Sequence, residues 1–375
     1  MTEHGSIVAM RGWNARSRRR SGSVAATAAG IRGTRRTIIG ALSVAATLAI
    51  AACSSGSSGS TGGNPSGGGS LAAASVMLDW FPNPDHIGIY LAQKDGDFTA
   101  QGLRVTLESP SDTTDALKLV SLNKVDLAVS YEPTVITSAT DPAYNVTAVA
   151  ALIPTALDTL IISGKAGIAN PGGLAGKTVG TSGDSESAAI YKLILSRYGL
   201  SPAKANLVTV NEGLIPAMIS GKVQAIIGGY RNVEAVQLRS EGLDPKVYPV
   251  TEEGVPDYDE LVIVANKSRL ASDASYRTTV RKFLAGLAKG TAAAQADPAA
   301  AYAALAPVAK GYSPSLLKQM VNGTAPLLAN PAGFGEMTGT AWQSFATWMN
   351  TAGLITKPVN VAKVGLLNTS FLPKP

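Results

Sequence analysis

The sequence is poor in residues that build covalent or metal-held frameworks. Its 375 residues include one cysteine, Cys53, and two histidines, His4 and His86. A single cysteine excludes an internal disulfide framework. With so few thiol and imidazole ligands we do not expect a zinc site. No cofactor is expected either.

The excess of basic residues is confined to the N-terminal segment. The chain has 32 Lys and Arg residues against 26 Asp and Glu residues, and residues 1–36 alone hold eight arginines and one acid. Setting residues 1–52 aside leaves 24 basic against 25 acidic residues. The remaining charge is therefore close to balanced, and no nucleic-acid partner is expected.

The N-terminal segment predicts export. The arginine-rich residues 1–36 are followed by an apolar run, residues 37–52, that ends at Cys53. This run is shorter than the roughly 20 apolar residues of a spanning helix, and the order of basic, apolar and small residues is typical of a signal peptide. Ile50-Ala-Ala-Cys53 resembles a bacterial lipobox, in which Cys53 is lipidated, and Arg35-Arg36 leaves open a twin-arginine signal. We expect residues 1–52 to be a signal peptide and the mature protein to be extracytoplasmic, lipid-anchored to the outer face of the cell membrane; the alternative is an ordinary signal peptide with a stray Cys53.

The rest of the chain predicts an α/β fold. Residues 53–75 are rich in glycine and serine, which indicates a flexible linker. Beyond them, alternating strand and helix patterns predict a mostly parallel sheet. The predicted strands are residues 76–80, 102–107, 125–130, 146–153, 157–163, 177–180, 207–210, 223–228 and 259–266. The predicted helices are residues 85–98, 111–123, 187–198, 214–220, 275–296, 299–306, 314–321 and 339–352.

An internal echo predicts two similar lobes. Residues 123–129, Asn-Lys-Val-Asp-Leu-Ala-Val, match residues 221–227, Gly-Lys-Val-Gln-Ala-Ile-Ile, at an offset of 98. Chance convergence of short helix–strand units is the alternative. We interpret the echo as a two-lobe molecule. The first lobe is discontinuous, residues 76–163 and 262–375, and the second is residues 164–261.

Several motifs along this fold resemble one known family. They are Leu78-Asp-Trp-Phe-Pro-Asn83, Gly88-Ile-Tyr-Leu-Ala-Gln93, Asn123-Lys-Val-Asp126, Ser130-Tyr-Glu132 and Phe371-Leu-Pro373. The chain is similar, over residues 76–373, to the solute-binding lipoproteins of importers for thiamine-precursor pyrimidines, a family shared with fungal hydroxymethylpyrimidine phosphate synthases. The resemblance implies a periplasmic-binding-protein-like fold of type II, in which two lobes and a hinge enclose an interlobe ligand cleft.

The resemblance also implies a function and partners. We expect a monomeric solute-binding protein of an ABC importer, which binds formylaminopyrimidine or hydroxymethylpyrimidine and works with a permease and its ATPase. The same fold carrying riboflavin or an alkanesulfonate is an alternative; a sulfonate carrier should have cationic groups at the cleft, where Arg231 is the candidate. A sensor lipoprotein is another alternative. The fungal synthases carry a cysteine-rich run where residues 258–264 read Tyr-Asp-Glu-Leu-Val-Ile-Val, so we do not expect an enzyme.

Residues at the predicted strand ends are the candidates for ligand binding. A pyrimidine pocket needs aromatic faces for stacking and a carboxylate for the exocyclic amine. Trp80 and Tyr230 are the expected stacking pair, and Glu234 is the expected carboxylate because it matches the aromatic-x-x-x-Glu pattern of the family. Asn83 and His86 are expected to donate hydrogen bonds to the ligand. The alternatives are a core Trp80, a surface Tyr230, a solvated Glu234 and a packed or capping His86.

Other strand ends contribute further candidates. Residues 181–186 form a small-residue loop whose backbone amides are expected to bind a polar substituent, with a plain helix cap as the alternative. The loop lacks the lysine of a P-loop and is not a nucleotide signature. The remaining candidates are Tyr131, Glu132, Ser182, Asp184, Glu186, Asn232 and Tyr258.

Overall fold

The computed structural model describes residues 70–110, 115–183, 185–204, 206–210 and 213–374. These residues all belong to one unit of the chain, Ser66–Pro375. The predicted signal peptide, the lipidation candidate Cys53, most of the predicted linker and Asp184 lie outside the described residues. Within the described part of the chain, no helix has the length and apolar character needed to cross a membrane.

The described residues contain ten β-strands and thirteen α-helices. The strands are β1 (Ala72–Met77), β2 (Leu103–Glu108), β3 (Leu127–Ser130), β4 (Val146–Ile153), β5 (Asp158–Ile162), β6 (Thr178–Thr181), β7 (Asn206–Thr209), β8 (Ala225–Tyr230), β9 (Lys246–Pro249) and β10 (Leu261–Asn266). The helices are α1 (Ile87–Lys94), α2 (Asp97–Ala100), α3 (Asp115–Ser121), α4 (Glu132–Ser138), α5 (Ser185–Arg197), α6 (Leu214–Ile219), α7 (Glu234–Ser240), α8 (Lys267–Ser272), α9 (Ala274–Ala296), α10 (Pro298–Leu305), α11 (Pro314–Thr324), α12 (Gly339–Thr351) and α13 (Val361–Val364). Short 3₁₀ helices, among them Pro84–His86, connect some of these elements.

The strands form two five-stranded sheets of the same design. Their orders are β2-β1-β3-β10-β4 and β7-β6-β8-β5-β9. In the first sheet β1 is parallel to β2 and β3, and β10 is antiparallel to β3 and β4. In the second, β6 is parallel to β7 and β8, and β5 is antiparallel to β8 and β9. In each sheet, three parallel strands therefore lie side by side. The strand next to them is antiparallel and is the one that the chain enters after crossing from the other half. One further strand forms the outer edge.

The internal echo corresponds to equivalent positions in the two sheets. Asn123 and Gly221, the first residues of the two matching stretches, both have left-handed backbones, with φ of 54° and 74°. Three residues later, the Asp126 carboxylate accepts the backbone N–H of Ser75 at 2.9 Å, and the Gln224 side-chain oxygen accepts that of Thr178 at 3.0 Å. The echo thus marks the same turn and the same side-chain link to the neighbouring strand in both halves.

The prediction of a mostly parallel sheet is confirmed, because four of the five strands in each sheet run in the same direction and one runs against them. Both sheets are mixed, because β5 and β10 enter from the other half of the molecule and run against their neighbours. The chain crosses between the sheets at residues 154–157 and again at residues 250–260. The lobe boundaries near residues 163 and 262 remain predictions; β5 pairs within the second sheet.

Local predictions needed correction where prolines and glycines interrupt the patterns. The strand predicted to reach Trp80 ends at Met77, and the helix predicted over residues 85–98 is divided into a 3₁₀ helix, α1 and α2. The division between α1 and α2 occurs at Gly96, whose φ of 78° ends the helical path. Strand β9 and the helices α4, α8 and α13 were not predicted.

Close helix packing holds the first half together. Helices α1 and α9 approach so closely that a Cβ atom built on Gly290 would lie 2.5 Å from the Cβ of Ala92. Behind this contact, Phe98 and Phe283 stack with ring centroids 5.1 Å apart. The rigid packing positions the segment before α1, which carries several of the candidate site residues.

Candidate functional site

The segment between β1 and α1 is held by a capping arrangement. The side-chain oxygen of Asn83 accepts the backbone N–H of Asp85 at 2.8 Å, and the backbone N–H of Asn83 donates to Nδ1 of His86 at 3.3 Å. Pro84 occupies the first position of the 3₁₀ helix, where its missing N–H is not needed. Asn83 and His86, both predicted ligand contacts, are buried and serve this cap.

A buried carboxylate, Asp79, joins this segment to the end of β3. Since Nδ1 of His86 accepts a hydrogen bond, Nε2 carries a proton and donates to Asp79 at 2.7 Å. The hydroxyl of Tyr131 donates to the other oxygen of Asp79 at 2.8 Å. Burial alone would raise the pKa of Asp79, but His86 and the two hydrogen bonds outweigh it and lower that pKa. Asp79 is therefore ionised at neutral pH, and the predicted site residue Tyr131 is bonded to it.

A second buried carboxylate, Glu260, lies where the chain returns to the first sheet. It accepts the backbone N–H of Leu157 at 2.6 Å and that of Asp158 at 3.3 Å. The hydroxyl of Tyr230, at the end of β8, donates to its other oxygen at 2.9 Å. Burial raises the pKa of Glu260. Close by, the predicted site residue Tyr258 donates to the carboxylate of Asp158 at 3.3 Å.

The two carboxylates lie near one another although they come from different parts of the fold. Burial raises the pKa of Tyr131 well above its ordinary value, and the charges of Asp79, Glu260 and Asp158 raise it further. Burial also raises the pKa of Tyr230, as do Glu260, Tyr131 and Asp79. We call the set Asp79, Asp158, Glu260, Tyr131, Tyr230 and Tyr258 the acid–tyrosine surface. Neutral phenols and carboxylates in low dielectric favour a ligand that donates hydrogen bonds.

The aromatic residues expected to stack on a ligand are placed as follows. Trp80 is half-buried and forms an edge-to-face pair with Phe81, with centroids 5.8 Å apart and planes at 81°. Phe81 is 51% exposed. Tyr230 packs against the apolar cores of the first half and of the α7–α11 contact. That Trp80 and Tyr230 hold one ligand between them remains a prediction.

Glu234 is the first residue of α7, and its position differs from the helical relationship that we expected. Strand β8 extends to Tyr230, so the two residues do not share a helix face. Instead the carboxylate of Glu234 accepts the backbone N–H of Tyr230 at 2.7 Å. Burial raises the pKa of Glu234.

Glu132 is a buried carboxylic acid beside the acid–tyrosine surface. One of its oxygens accepts the backbone N–H of Asp259 at 2.8 Å, and the other has no hydrogen-bond partner within the described part of the chain. Burial and the charge of Asp259 raise the pKa of Glu132 to about 9. Burial raises the pKa of Asp259 to about 6, although the hydrogen bond that the indole of Trp342 donates to Asp259 acts to lower that pKa. Glu132 is therefore neutral at pH 7.

The remaining candidates lie at two places. Asn232, in the turn before α7, donates to Asp85 and Thr324. The loop after β6 includes exposed Ser182, and the backbone N–H of Gly183 donates to Thr181 at 3.3 Å. Glu186 lies in the first turn of α5, and its charge contributes to the raised pKa of Glu132. The ligand-binding roles of Ser182, Asp184 and Glu186 remain predictions.

Sequence reasoning missed the carboxylates at the centre of this arrangement. Asp79 stands in the apolar run before Trp80, Glu260 directly precedes the apolar β10, and Asp158 begins β5. An acid beside a buried strand is costly unless paired, and this signal could have identified all three. Among the described residues, no group of three or more His, Cys, Asp or Glu side chains is arranged to bind a metal ion.

Comparison with known proteins identifies relatives over most of this fold. The family model described as "NMT1/THI5 like" matches residues 83–301. A protein of Haemophilus influenzae named for thiamine biosynthesis is 34% identical over 288 residues, covering 76% of this chain and 88% of that protein. The formylaminopyrimidine-binding protein of Halalkalibacterium halodurans is 28% identical over 295 residues, covering 77% and 88%. A 4-amino-5-hydroxymethyl-2-methylpyrimidine phosphate synthase of Saccharomyces cerevisiae is 28% identical over 240 residues, covering 61% and 68%. The resemblance inferred from the motifs is confirmed.

Solved structures share the architecture at low sequence identity. The alkanesulfonate-binding protein of Xanthomonas axonopodis pv. citri bound to MOPS has a TM-score of 0.61 at 15% identity, covering 79% of this chain and 99% of that one. The periplasmic nitrate-binding protein of Synechocystis PCC 6803 has a TM-score of 0.61 at 12% identity, covering 80% and 87%. These likenesses concern the fold alone and confirm the predicted periplasmic-binding-protein-like fold.

Proposed function

We propose, on the premise that this chain belongs to the NMT1/THI5-like family, that it is a solute-binding protein for a thiamine-related aminopyrimidine. The ligand lies between the two lobes, against the acid–tyrosine surface. A relative that binds formylaminopyrimidine supports this ligand class. The proposal rests most on the carboxylates Asp79, which follows β1, and Glu260, which precedes β10. Asp79 accepts a hydrogen bond from the hydroxyl of Tyr131 and Glu260 accepts one from that of Tyr230.

The chemistry of an aminopyrimidine suits such a surface. Its exocyclic amine donates two hydrogen bonds, and its flat ring offers two faces to aromatic side chains. Carboxylates in a water-poor site accept those hydrogen bonds strongly. The same negative charge opposes sulfonate or nitrate, so the anionic ligands of the structural neighbours are less favoured.

The protein is proposed to bind its ligand without chemical change. The formylaminopyrimidine-binding relative matches 77% of the chain, whereas the fungal synthase matches 61%. The sequence of residues 258–264 also contains no cysteine, which argues against the metal-dependent reaction implied by the synthase resemblance.

The N-terminal sequence supports the proposed location, and the family resemblance supports the proposed partners. An arginine-rich segment, an apolar run and Cys53 in order support export and lipid anchoring at the outer face of the membrane. A monomer in that position would deliver its ligand to an ABC permease, and ATP hydrolysis would occur elsewhere in the importer.

Thermal denaturation against a ligand panel tests the proposal. The panel contains formylaminopyrimidine, hydroxymethylpyrimidine, an alkanesulfonate, nitrate and riboflavin. A ligand at a hundredfold excess over its Kd stabilises the native state by about 2.7 kcal/mol, so the two pyrimidines should raise Tm and the anions should not. A shift with the sulfonate and none with the pyrimidines would overturn the ligand assignment.

A further inference from the structure

A buried polar contact joins the two halves of the molecule at a second place besides the chain crossing. The amide nitrogen of Asn232 donates to the carboxylate of Asp85 at 2.6 Å and to the hydroxyl of Thr324 at 2.8 Å. Asn232 follows β8 of the second sheet, whereas Asp85 follows β1 of the first. At most 3% of each of these three residues is exposed.

An apolar contact continues from this polar one. Val233, next to Asn232, is buried against Leu316 and Met320 of α11. On its other face α11 buries Leu317 and Val321 in the core of the first half. Helix α11 therefore belongs with the first half, and Val233 brings the second half against it.

The donors of the Asn232 amide are fully used in this contact. A side-chain amide has two N–H donors, and here one bonds to Asp85 and the other to Thr324. Its oxygen is buried with no hydrogen-bond partner in the described part of the chain, which is an unfavourable arrangement for a polar atom. The amide is thus positioned by its two bonds across the halves, and its N–H groups are not available to a ligand.

We propose that Asn232, Asp85 and Thr324 form a latch that holds the two lobes in contact before a ligand arrives. This inference goes beyond the proposed function and does not depend on which ligand binds. A protein whose binding-competent form is only a fraction of the population binds with an affinity reduced by that fraction. The latch raises the fraction, and weakening it lowers the apparent affinity without altering any group of the acid–tyrosine surface.

Distance measurement between the halves, without ligand, tests the latch directly. Ser240 on α7 and Gln319 on α11 line a polar groove of about 570 Å³ between these helices. Spin labels on Ser240→Cys and Gln319→Cys, in the full chain carrying Cys53→Ser, report the width of the groove. The measurement is made at pH 8, above the pKa of about 7 to which burial raises Asp85.

Exchange of the two polar partners distinguishes loss of the latch from a general loss of structure. Asn232→Asp sets a carboxylate against Asp85 and should lengthen the mean label distance; a fall of the competent fraction to one-tenth would weaken formylaminopyrimidine binding about tenfold. The double variant Asp85→Asn with Asn232→Asp restores an amide–carboxylate pair and should restore the parent distance. Asn350→Asp makes the same chemical change within α12, where the amide bonds to Ile355, and should leave the distance unchanged.

Thr324→Val provides a second variant of nearly the same shape, which removes one of the two acceptors and should also lengthen the distance. Parent-like distances in folded Asn232→Asp and Thr324→Val would overturn the latch. So would failure of the double variant to restore the distance. Since no ligand is present in the distance measurement, these results are independent of the ligand panel.

Discussion

At the scale of the single residue, the clearest effect of the fold is on the protonation of the Glu132 carboxyl group. Its pKa is raised to about 9, first by burial and then by the charge of Asp259; Asp257 and Glu186 act in the same direction. An unfolded glutamate titrates near 4.5. Between these values the folded protein keeps a proton that the unfolded chain releases, so this group makes the protein less stable as pH rises.

Substitution Glu132→Gln should remove that pH dependence. The free energy of unfolding of the variant, relative to the parent, is expected to increase from pH 5 to pH 9, with a slope of up to about 1.4 kcal/mol per pH unit for one proton. Urea denaturation at pH 5, 7 and 9 measures it. The exposed Glu252→Gln is the control for the same chemical change outside the site. A difference between variant and parent that is constant with pH would contradict the assignment of a neutral Glu132.

Glu234→Gln tests the residue expected to bind the amine of the ligand. The glutamine oxygen can still accept the backbone N–H of Tyr230, so the fold should be unchanged. Loss of a charged acceptor costs about 1.5–3 kcal/mol, which is roughly a tenfold to hundredfold loss of aminopyrimidine affinity. Calorimetric titration measures this loss. The control is Glu241→Gln, at an exposed residue directly after α7. Equal affinities of Glu234→Gln and parent would remove Glu234 from the site.

Individual residues were predictable from sequence where a local pattern carried the information. Asn83 and His86 were predicted as ligand contacts because they follow the first predicted strand, yet the cap that they form and the bond of His86 to Asp79 were not predicted. Asp79 and Glu260 were missed because a carboxylate looks solvent-exposed in a sequence, and only its distant partners Tyr131 and Tyr230 make burial possible.

At the scale of the element, the contact between α1 and α9 depends on glycine. A Cβ on Gly290 would meet the backbone and Cβ of Ala92 at 2.5–2.6 Å, and neither can move without shifting a helix. In α11, by contrast, a Cβ on Gly323 would meet nothing within 4 Å. The two helical glycines therefore have different physical roles.

Alanine at these two positions should have opposite effects on stability. Gly290→Ala overpacks the contact and should lower the free energy of unfolding by about 1–3 kcal/mol. Gly323→Ala reduces the flexibility of the unfolded chain and should raise it by about 0.5–1 kcal/mol. Urea denaturation of both variants at one pH checks the pair. Equal changes in the two variants would show that the close approach of α1 and α9 is not what requires Gly290.

Elements with a strong pattern were predicted closely, and elements without one were not. Strand β4 was predicted at its observed bounds because Val146–Ile153 is apolar except for Thr147. Helix α4 was missed because Glu132-Pro133 was interpreted as the end of a strand, although proline favours the first turn of a helix. Strand β9 was missed because Lys246–Pro249 is short and ends in proline, a residue tolerated in an outer strand.

At the scale of the whole molecule, repetition in the sequence predicted the architecture better than the strand patterns did. The matching stretches at Asn123 and Gly221 indicated two similar halves, and the two sheets have the same order of parallel and antiparallel strands. The direction of β5 and β10 could not be derived in the same way. The residue pattern of a strand indicates which side chains are buried. The direction of the strand, however, depends on which sheet the chain enters after each crossing.

The two sheets differ in how the chain completes them. All five strands of the second sheet come from Asp158–Pro249 without interruption, whereas the first sheet receives β10 only after the chain returns. The second sheet is therefore formed by one continuous segment inserted into the first half. Exchanging it for the equivalent segment of another protein of this architecture would replace Tyr230, Asn232 and Glu234 together, and would leave the frame that carries Asp79 and Tyr131 intact.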